Sequence, residues 1–509
     1  MKIIKALFSR VVIVGLILIL QVGYFVALLS WMGSYSTKIH MTFLLISILV
    51  VLYIVYKNEN PSYKLAWIVP ILAFPVLGGI LYLAMGDKKP ARKMRKKLES
   101  IGEYTNPLLY QDEKIMEELV DTNPQIAGQV HYLYKSSNYP IYRNTETEYY
   151  EIGEDYFESL VYELKKAKHF IFMEYFIVEE GEMFNCILEI LEEKAKEGLD
   201  VRFMYDDVGC VSLLPYKYYE RLEKKGIKCI AINPFRPIFS VAMNNRDHRK
   251  IAVIDGYVGF TGGVNLADEY INRKVRFGHW KDTGIMLKGD AVWSLTIMFL
   301  QMWNANRYTD SDYSKFRPHF YYKEEFKDTG YVLPYGDSPL DRESTGENVY
   351  INMINSAVRY IYIMTPYLIV DNEMMTALCL AAKRGVDVRI VTPGIPDKMI
   401  VYKVTQSYYP QLIEAGVKVY QYKPGFVHAK CVVSDDKIAT VGTINFDFRS
   451  LYLHFENGVF LYKTDTVLRI KEDIIKTIEQ CEHIYKGYIK HGILRDLFRA
   501  ILRLFAPLM

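Results

Sequence analysis

One polar phrase occurs twice in the chain, its two histidines 180 residues apart. The first copy reads His248-Arg-Lys250-Ile-Ala-Val-Ile-Asp255, then Gly262-Gly-Val-Asn265. The second reads His428-Ala-Lys430-Cys-Val-Val-Ser-Asp435, then Gly442-Thr-Ile-Asn445. Every offset agrees: two residues from His to Lys, five to Asp, seven to Gly and three to Asn. A single such phrase is a weak signal, but two in register require a duplicated body. The surroundings repeat as well. Gly198-Leu-Asp-Val-Arg202 returns as Gly385-Val-Asp-Val-Arg389, and Gly226-Ile-Lys228 as Gly416-Val-Lys418. Apolar, β-rich runs at Phe170–Met173 and Val201–Tyr205 flank a helical pattern at Glu182–Glu197. A strand at Tyr360–Met364, a helix at Glu373–Arg384 and a strand at Val388–Val391 repeat that order. The expected class is therefore α/β, with two similar lobes and one site where they meet.

The motif also indicates a chemistry. Lys250–Ile254 and Lys430–Ser434 are strand-like, and residues two apart on a strand share a face. Each His and Lys then point the same way. Asp255-Gly256 and Asp435-Asp436 read as turns into a following strand that ends on Gly and Asn. If the lobes face each other, two imidazoles, two ammonium groups and two amides converge. Such a set suits a phosphodiester. Lys250, Lys430, Asn265 and Asn445 would bind the non-bridging oxygens and stabilise developing charge. One histidine would attack phosphorus and the other protonate the leaving alcohol. No metal or other cofactor is needed for this scheme. The near-symmetric sequence does not say which histidine is which. The candidate catalytic set is His248, Lys250, Asp255, His428, Lys430 and Asp435, the aspartates being expected to brace their turns rather than move protons.

The first 86 residues differ from the rest. Val11–Met32 is almost wholly apolar, Met41–Tyr56 is a second run, and Ala66–Met85 a third, broken by Pro70, Pro75, Gly78 and Gly79. About 20 apolar residues suffice to span a bilayer as a helix. Transmembrane helices are therefore expected near 11–32, 39–57 and 66–85, two or three of them crossing, as an anchor rather than a cleaved leader. Lys2, Lys5 and Arg10 precede the first run, and Lys88, Lys89, Arg92, Lys93, Arg95, Lys96 and Lys97 follow the third. The heavier cluster places the bulk of the chain in the cytoplasm and suits contact with anionic head groups. At the other end, Arg495, Arg499 and Arg503 recur every four residues among Leu, Ile and Phe, which predicts a basic amphipathic helix in the membrane interface.

The remaining signals are mild. The net charge of +3 gives no reason to expect a polyanion such as nucleic acid. Six cysteines without CxxC pairs or zinc-ligand spacing read as small apolar residues in a reducing compartment. Asp206-Asp207 reads as a helix cap at a strand end. The insertion 233–245, with Phe235, Phe239 and Met243, suits either an acyl-chain guide or a packing loop.

The paired HxKxxxxD…GxxN motifs resemble the phospholipase D superfamily. Asn60-Pro-Ser-Tyr-Lys-Leu-Ala-Trp67, Asn244-Asn-Arg-Asp-His-Arg-Lys-Ile251, Phe260-Thr-Gly-Gly-Val-Asn265, Asp268-Glu-Tyr270, Glu174-Tyr-Phe-Ile177 and Thr365-Pro-Tyr367 are similar to the bacterial cardiolipin synthases within it. The resemblance runs from about residue 40 over most of the chain. It implies two phospholipase D-like lobes, each a mixed sheet flanked by helices. It implies a phosphohistidine intermediate, with His248 as nucleophile and His428 as acid and base. It also implies joining of two phosphatidylglycerols into cardiolipin with release of glycerol, in a bacterial cell membrane. A hydrolytic phospholipase D, a phosphatidylserine synthase and an inactive scaffold are the competing readings. The resemblance further implies a carboxylate after each histidine to orient its imidazole. Asp282, 34 residues after His248, and Glu456, 28 after His428, fit that offset; His279 and His454 lie beside them. The expected organisation is an anchor at 1–86, a basic linker at 87–128, a first lobe at 129–321, a linker at 322–344, a second lobe at 345–490 and the amphipathic helix at 491–509.

Overall fold

The computed structural model describes residues 34–509 apart from 75–77, 80, 83–85, 87–91, 235–244, 328–329, 342, 489–491 and 509. The chain divides into two compact units. The larger, Met94–Pro234 with Asn245–Gly492, holds both lobes.

In the first lobe the strands are β1 (Thr145–Tyr150), β2 (Phe170–Tyr175), β3 (Asp200–Asp206), β4 (Lys228–Ile232), β5 (Ile251–Ile254), β6 (Val258–Gly262), β7 (His279–Lys281) and β8 (Gly284–Gly289). Seven of them form a sheet in the order β1-β8-β6-β5-β2-β3-β4. The second lobe has β9 (Tyr331–Asp337), β10 (Tyr360–Met364), β11 (Leu368–Ile369), β12 (Asp387–Pro393), β13 (Lys418–Tyr422), β14 (Gly425–Val427), β15 (Cys431–Ser434), β16 (Ile438–Gly442), β17 (Phe446–Asp447), β18 (Glu456–Tyr462) and β19 (Cys481–Ile484). Its main sheet, read from the far end, runs β9-β18-β16-β15-β10-β12-β13-β19. The two orders superimpose strand for strand, with β19 as an extra edge. In each, three strands run parallel and the rest antiparallel. Helices such as Gly153–Lys166, Glu182–Lys196 and Val292–Asn306 cover the first sheet. That is why β2 and β5 are apolar runs buried at every position rather than alternating patterns.

The strands and helices expected within the two lobes appear at their places, within a residue or two at the ends. Two segments carry more structure than expected. The stretch read as a linker at 322–344 contains β9, which pairs along the whole of β18 and completes the second sheet as β1 completes the first. Its punctuating Pro334 and Gly336 sit inside that edge strand, where Pro is tolerated. The linker at 87–128 is largely helical, at Arg92–Thr105 and Glu113–Thr122. The hairpin aspartates Asp255 and Asp435 both have positive φ (+50° and +55°), as do Gly256 and Asp436 after them, a conformation Asp and Gly tolerate better than most residues.

In the smaller unit, Ser34–Tyr56 and Pro61–Ala73 are helices. Asn60 caps the second by accepting from the Ser62 amide. Among the described residues no helix is long and apolar enough to cross a membrane; the expected spans near 39–57 and 66–85 fall on the helices Ser34–Tyr56 and Pro61–Ala73 and, for the second, on residues outside the described set. The helix Ser34–Tyr56 opens with a mostly polar turn and a half, and its uninterrupted apolar part begins at Met41. The helix Pro61–Ala73 has 13 residues, a rise of only about 20 Å against a hydrocarbon core of roughly 30 Å. The run at 11–32 lies outside the described residues, as does most of the insertion at 233–245. The C-terminal helix forms at Ile493–Phe505 and packs against Pro61–Ala73. Its Leu502 is buried, while Ile493, Leu494, Leu497, Phe498 and Ile501 are exposed.

Candidate active site

Both motif histidines lie just ahead of a central strand, β5 or β15, and each backbone is tied to the opposite lobe. The His248 amide donates to the Phe455 carbonyl (2.9 Å), and the Phe455 amide to the Arg246 carbonyl (2.8 Å). The His428 amide donates to the Lys281 carbonyl (2.7 Å), beside the parallel pairing of β14 with β7. These main-chain bonds set each histidine against the carboxylate strand of the other lobe.

The consequence is a crossed pair of dyads. His248 Nδ1 lies 2.9 and 3.0 Å from the two oxygens of Glu456. His428 Nδ1 lies 2.6 Å from Asp282 Oδ2. An offset counted along the chain attaches each carboxylate to the histidine before it; the structure exchanges them. Both carboxylates are themselves held. Asp282 Oδ1 accepts from the Thr283 amide (2.8 Å), and Glu456 accepts from the Thr443 hydroxyl. Each lysine ammonium folds back onto its histidine's carbonyl, Lys250 onto His248 and Lys430 onto His428.

The four motif groups and both carboxylates are buried. Burial pushes the His248 imidazole down to about 3, against the opposing pull of Glu456. Burial, joined by the Lys430 charge, takes His428 down to about 4 despite Asp282. Both rings are therefore neutral at physiological pH, and the carboxylates select the tautomer with the proton on Nδ1, leaving Nε2 bare. Burial also lowers Lys250 to about 7 and Lys430 to about 8. Among the further causes for Lys250 is the charge of Lys430, as expected for ammonium groups converging on one point. Burial raises Asp282, but His428 and Lys430 bring it below the usual carboxylate range. Glu456 is held low in the same way by His248.

The other expected residues divide. Asp255 stands apart from the imidazoles and accepts from three successive amides, Lys168, His169 and Phe170, at 2.8–2.9 Å. Asp435 does the same for Val358, Arg359 and Tyr360 at 2.7–2.9 Å. Each motif aspartate thus clamps the start of the neighbouring antiparallel strand, β2 or β10. Asn265 is engaged by protein: its Oδ1 accepts from the Ile177 amide (2.9 Å) and its Nδ2 donates to Tyr270 (2.9 Å). Asn445 differs, its buried Oδ1 having no partner. Asp206 accepts from the Val208 and Gly209 amides, a helix cap as expected. His279 Nδ1 meets the Tyr422 hydroxyl at 3.0 Å.

Sequence reasoning missed the walls. Phe176 meets the His248 ring edge-on at 5.0 Å between centroids. Around His428 stand Trp280, Tyr270 and Phe426, at 5.3, 5.4 and 5.9 Å. Of these four, only Phe176 and Tyr270 fall within stretches that the motifs mark. A family model described as "Cardiolipin synthase, PLD-like domain" matches residues 160–277 and 350–478, and one described as "Phospholipase_D-nuclease N-terminal" matches 45–86. A protein named cardiolipin synthase in Geobacillus kaustophilus is 34% identical over 98% of both chains. The chain belongs to the phospholipase D-like cardiolipin synthase family. Another relative so named, from Halalkalibacterium halodurans, is 34% identical over 98% of this chain and all of its own. An uncharacterised protein of Streptococcus mutans is 45% identical over 90% of this chain and 99% of that one. Among solved structures, a phosphatidylserine synthase of Haemophilus influenzae shares the fold, with a TM-score of 0.52 at 13% identity, over 71% of this chain and 93% of that one. The family's two halves correspond to the two lobes, and each half carries one of the histidines.

Proposed function

We propose that this chain is a cardiolipin synthase, a phosphatidyltransferase that joins two phosphatidylglycerols and releases glycerol. The observation that carries the reading is the crossed pairing, His248 with Glu456 and His428 with Asp282, beside two lysines. His248 Nε2 attacks the phosphorus of the first phosphatidylglycerol. As the bond to the head-group glycerol breaks, His428, protonated on Nε2 in the substrate complex, gives that proton to the departing oxygen. The negative phosphodiester favours the imidazolium there, opposing the burial that depresses His428 in the free site. The phosphatidyl group then rests on His248, and His428 is neutral. It takes the proton from the terminal hydroxyl of a second phosphatidylglycerol, whose oxygen attacks phosphorus and displaces His248. Cardiolipin and glycerol are the products, and His428 ends protonated as it began. Lys250 and Lys430 neutralise the non-bridging oxygens in both transition states. Asn445, with its unpaired buried oxygen, faces substrate hydroxyls or protonated groups.

The membrane reading belongs to the same proposal. Support comes from the exposed Met41, Leu45, Leu49 and Leu52 of the helix Ser34–Tyr56, and from the exposed apolar face of Ile493–Phe505 with its arginines. We place the chain in a bacterial cell membrane by more than one crossing, with the lobes on the cytoplasmic side. Resistance of the full chain to carbonate extraction, with protease access to the lobes only from the cytoplasmic face, tests that placement.

The deciding assay uses the purified full chain in phosphatidylglycerol vesicles with a chelator present. Cardiolipin and glycerol in equal amounts, lost in His248→Ala and His428→Ala, are the expected result. Phosphatidic acid in their place makes the enzyme a hydrolase.

A further inference from the structure

The two dyads differ in one neighbour. Beside Asp282, two residues back along the strand, stands Trp280, whose Nε1 lies 3.4 Å from the carboxylate. The equivalent place before Glu456 is taken by His454, by the pairing of Gly284 with Gly262 and of Gly458 with Gly442. His454 is 9% exposed, and neither of its ring nitrogens has a hydrogen-bond partner. Two buried imidazole nitrogens without partners are costly unless something else meets them. Its Nδ1 lies 3.6 Å from Glu456 Oε1, too far for a good hydrogen bond. Its ring centroid is 5.6 Å from that of His248. One ligand atom from each of His248, His454 and Glu456 lies within 4.8 Å of the other two.

We propose that His248, His454 and Glu456 form an inhibitory site for a borderline transition-metal ion of the zinc class. A tetrahedral ion with ligands at about 2.0–2.1 Å spaces neighbouring ligand atoms roughly 3.3 Å apart. The spacings of 2.9 Å from Glu456 to His248 and 3.6 Å to His454 bracket that value. Two imidazoles and one carboxylate, with a fourth place for water, suit Zn²⁺ and disfavour Mg²⁺, which wants six oxygens. The Lys250 ammonium nearby opposes any cation, so only an ion that gains strongly from nitrogen ligands binds. Binding at Nδ1 displaces the proton that His248 shares with Glu456 to the ring's Nε2, which caps the nitrogen that would attack. It takes His248 and its orienting carboxylate out of the reaction together. No Cys or His spacing in the sequence showed this group, because its residues come from both lobes.

The inhibition assay rests on the transferase reading; direct metal binding does not. The experiment compares wild-type full chain with His454→Gln, first by Co²⁺ absorption in the visible and then by cardiolipin formation against free Zn²⁺ set by a metal buffer. The expected result is one Co²⁺ per chain with the intense bands of a tetrahedral site, displaced by Zn²⁺. Activity should fall at least about tenfold at saturating Zn²⁺ and return with chelator. His454→Gln should need at least about tenfold more Zn²⁺ for half-inhibition, measured against its own metal-free rate. His454→Cys should keep the site and add a thiolate-to-cobalt charge-transfer band, which also shows that the variant folds. Equal zinc sensitivity of wild type and His454→Gln, or absence of tetrahedral Co²⁺ in the wild type, overturns the proposal. Tetrahedral binding in an inactive preparation retains the metal site and counts against the transferase reading alone.

Discussion

Around His428 the walls are aromatic, with Trp280, Tyr270 and Phe426, and the partner is the shorter carboxylate, Asp282. Around His248 the walls are Phe176 and a second imidazole, and the partner is Glu456. The supports differ to match. Gly263 leaves room for Asp282: a Cβ there would come within 1.9 Å of its Oδ1. At the equivalent position in the other half, Thr443 supplies a hydroxyl to Glu456. A duplicated motif can therefore keep its offsets while each copy is adapted to a separate half-reaction. In the assignment proposed above, the half with the second imidazole holds the nucleophile, and the half with aromatic walls holds the proton donor.

The largest effect tests which half is which. Replacing either histidine by alanine should cost about 10⁴-fold or more in kcat, as loss of a group acting in a unit does. Peptide mapping of a quenched reaction should find the phosphatidyl adduct on His248; an adduct on His428 inverts the comparison.

Next come the carboxylates. Glu456→Gln and Asp282→Asn should each lower kcat by about 10²–10⁴-fold by releasing the tautomer. The crossed pairing makes them separable. A phosphodiester with a p-nitrophenolate leaving group needs no proton from His428. It should restore the first, adduct-forming step in Asp282→Asn far more than in Glu456→Gln. Equal rescue would mean that the carboxylates do not serve different histidines.

Gly263→Ala should cost roughly 10–100-fold, a misplacement effect transmitted through Asp282. Thermal unfolding of the variant separates this from a loss of fold.

The pH profile weighs the lysines against the histidines. Lys250 and Lys430, lowered to about 7 and 8, are charged below those values and lose charge as pH rises through them. The imidazoles are neutral above about 3 and 4. In mixed micelles kcat/KM should fall by up to about tenfold per unit above about pH 4, because the free enzyme's neutral His428 must gain a proton with the substrate, and more steeply above about 7 as the lysines lose their charge. An acid limb near pH 6.5 instead would mean that an ordinary histidine controls the free enzyme. Thr443→Val should have the smallest effect, a several-fold loss of kcat from a loosened Glu456.

The duplication, the α/β class and the identity of the reacting side chains are all written in the chain's linear order. Identical offsets in two copies do not arise by chance, and apolar runs of strand length between helical patterns have few other folds. Period-two geometry is enough to put each His and Lys on one face, and turn chemistry enough to place Asp255 and Asp435. Linear order does not reveal that β9 leaves the apparent linker for the second sheet. An edge strand tolerates Pro334 and Gly336, so its composition looks like that of a turn. Nor does it reveal which carboxylate serves which histidine. Offsets of 34 and 28 residues are compatible with pairing within a lobe or between lobes. Only docking decides, because the bonds from His248 to Phe455 and from His428 to Lys281 carry each imidazole across to the other lobe. The same docking brings His454 beside His248, two residues 206 positions apart in the chain. Local sequence fixes what a strand presents; the partner it presents to is set by burial between lobes, a long-range packing choice that no spacing along one chain encodes.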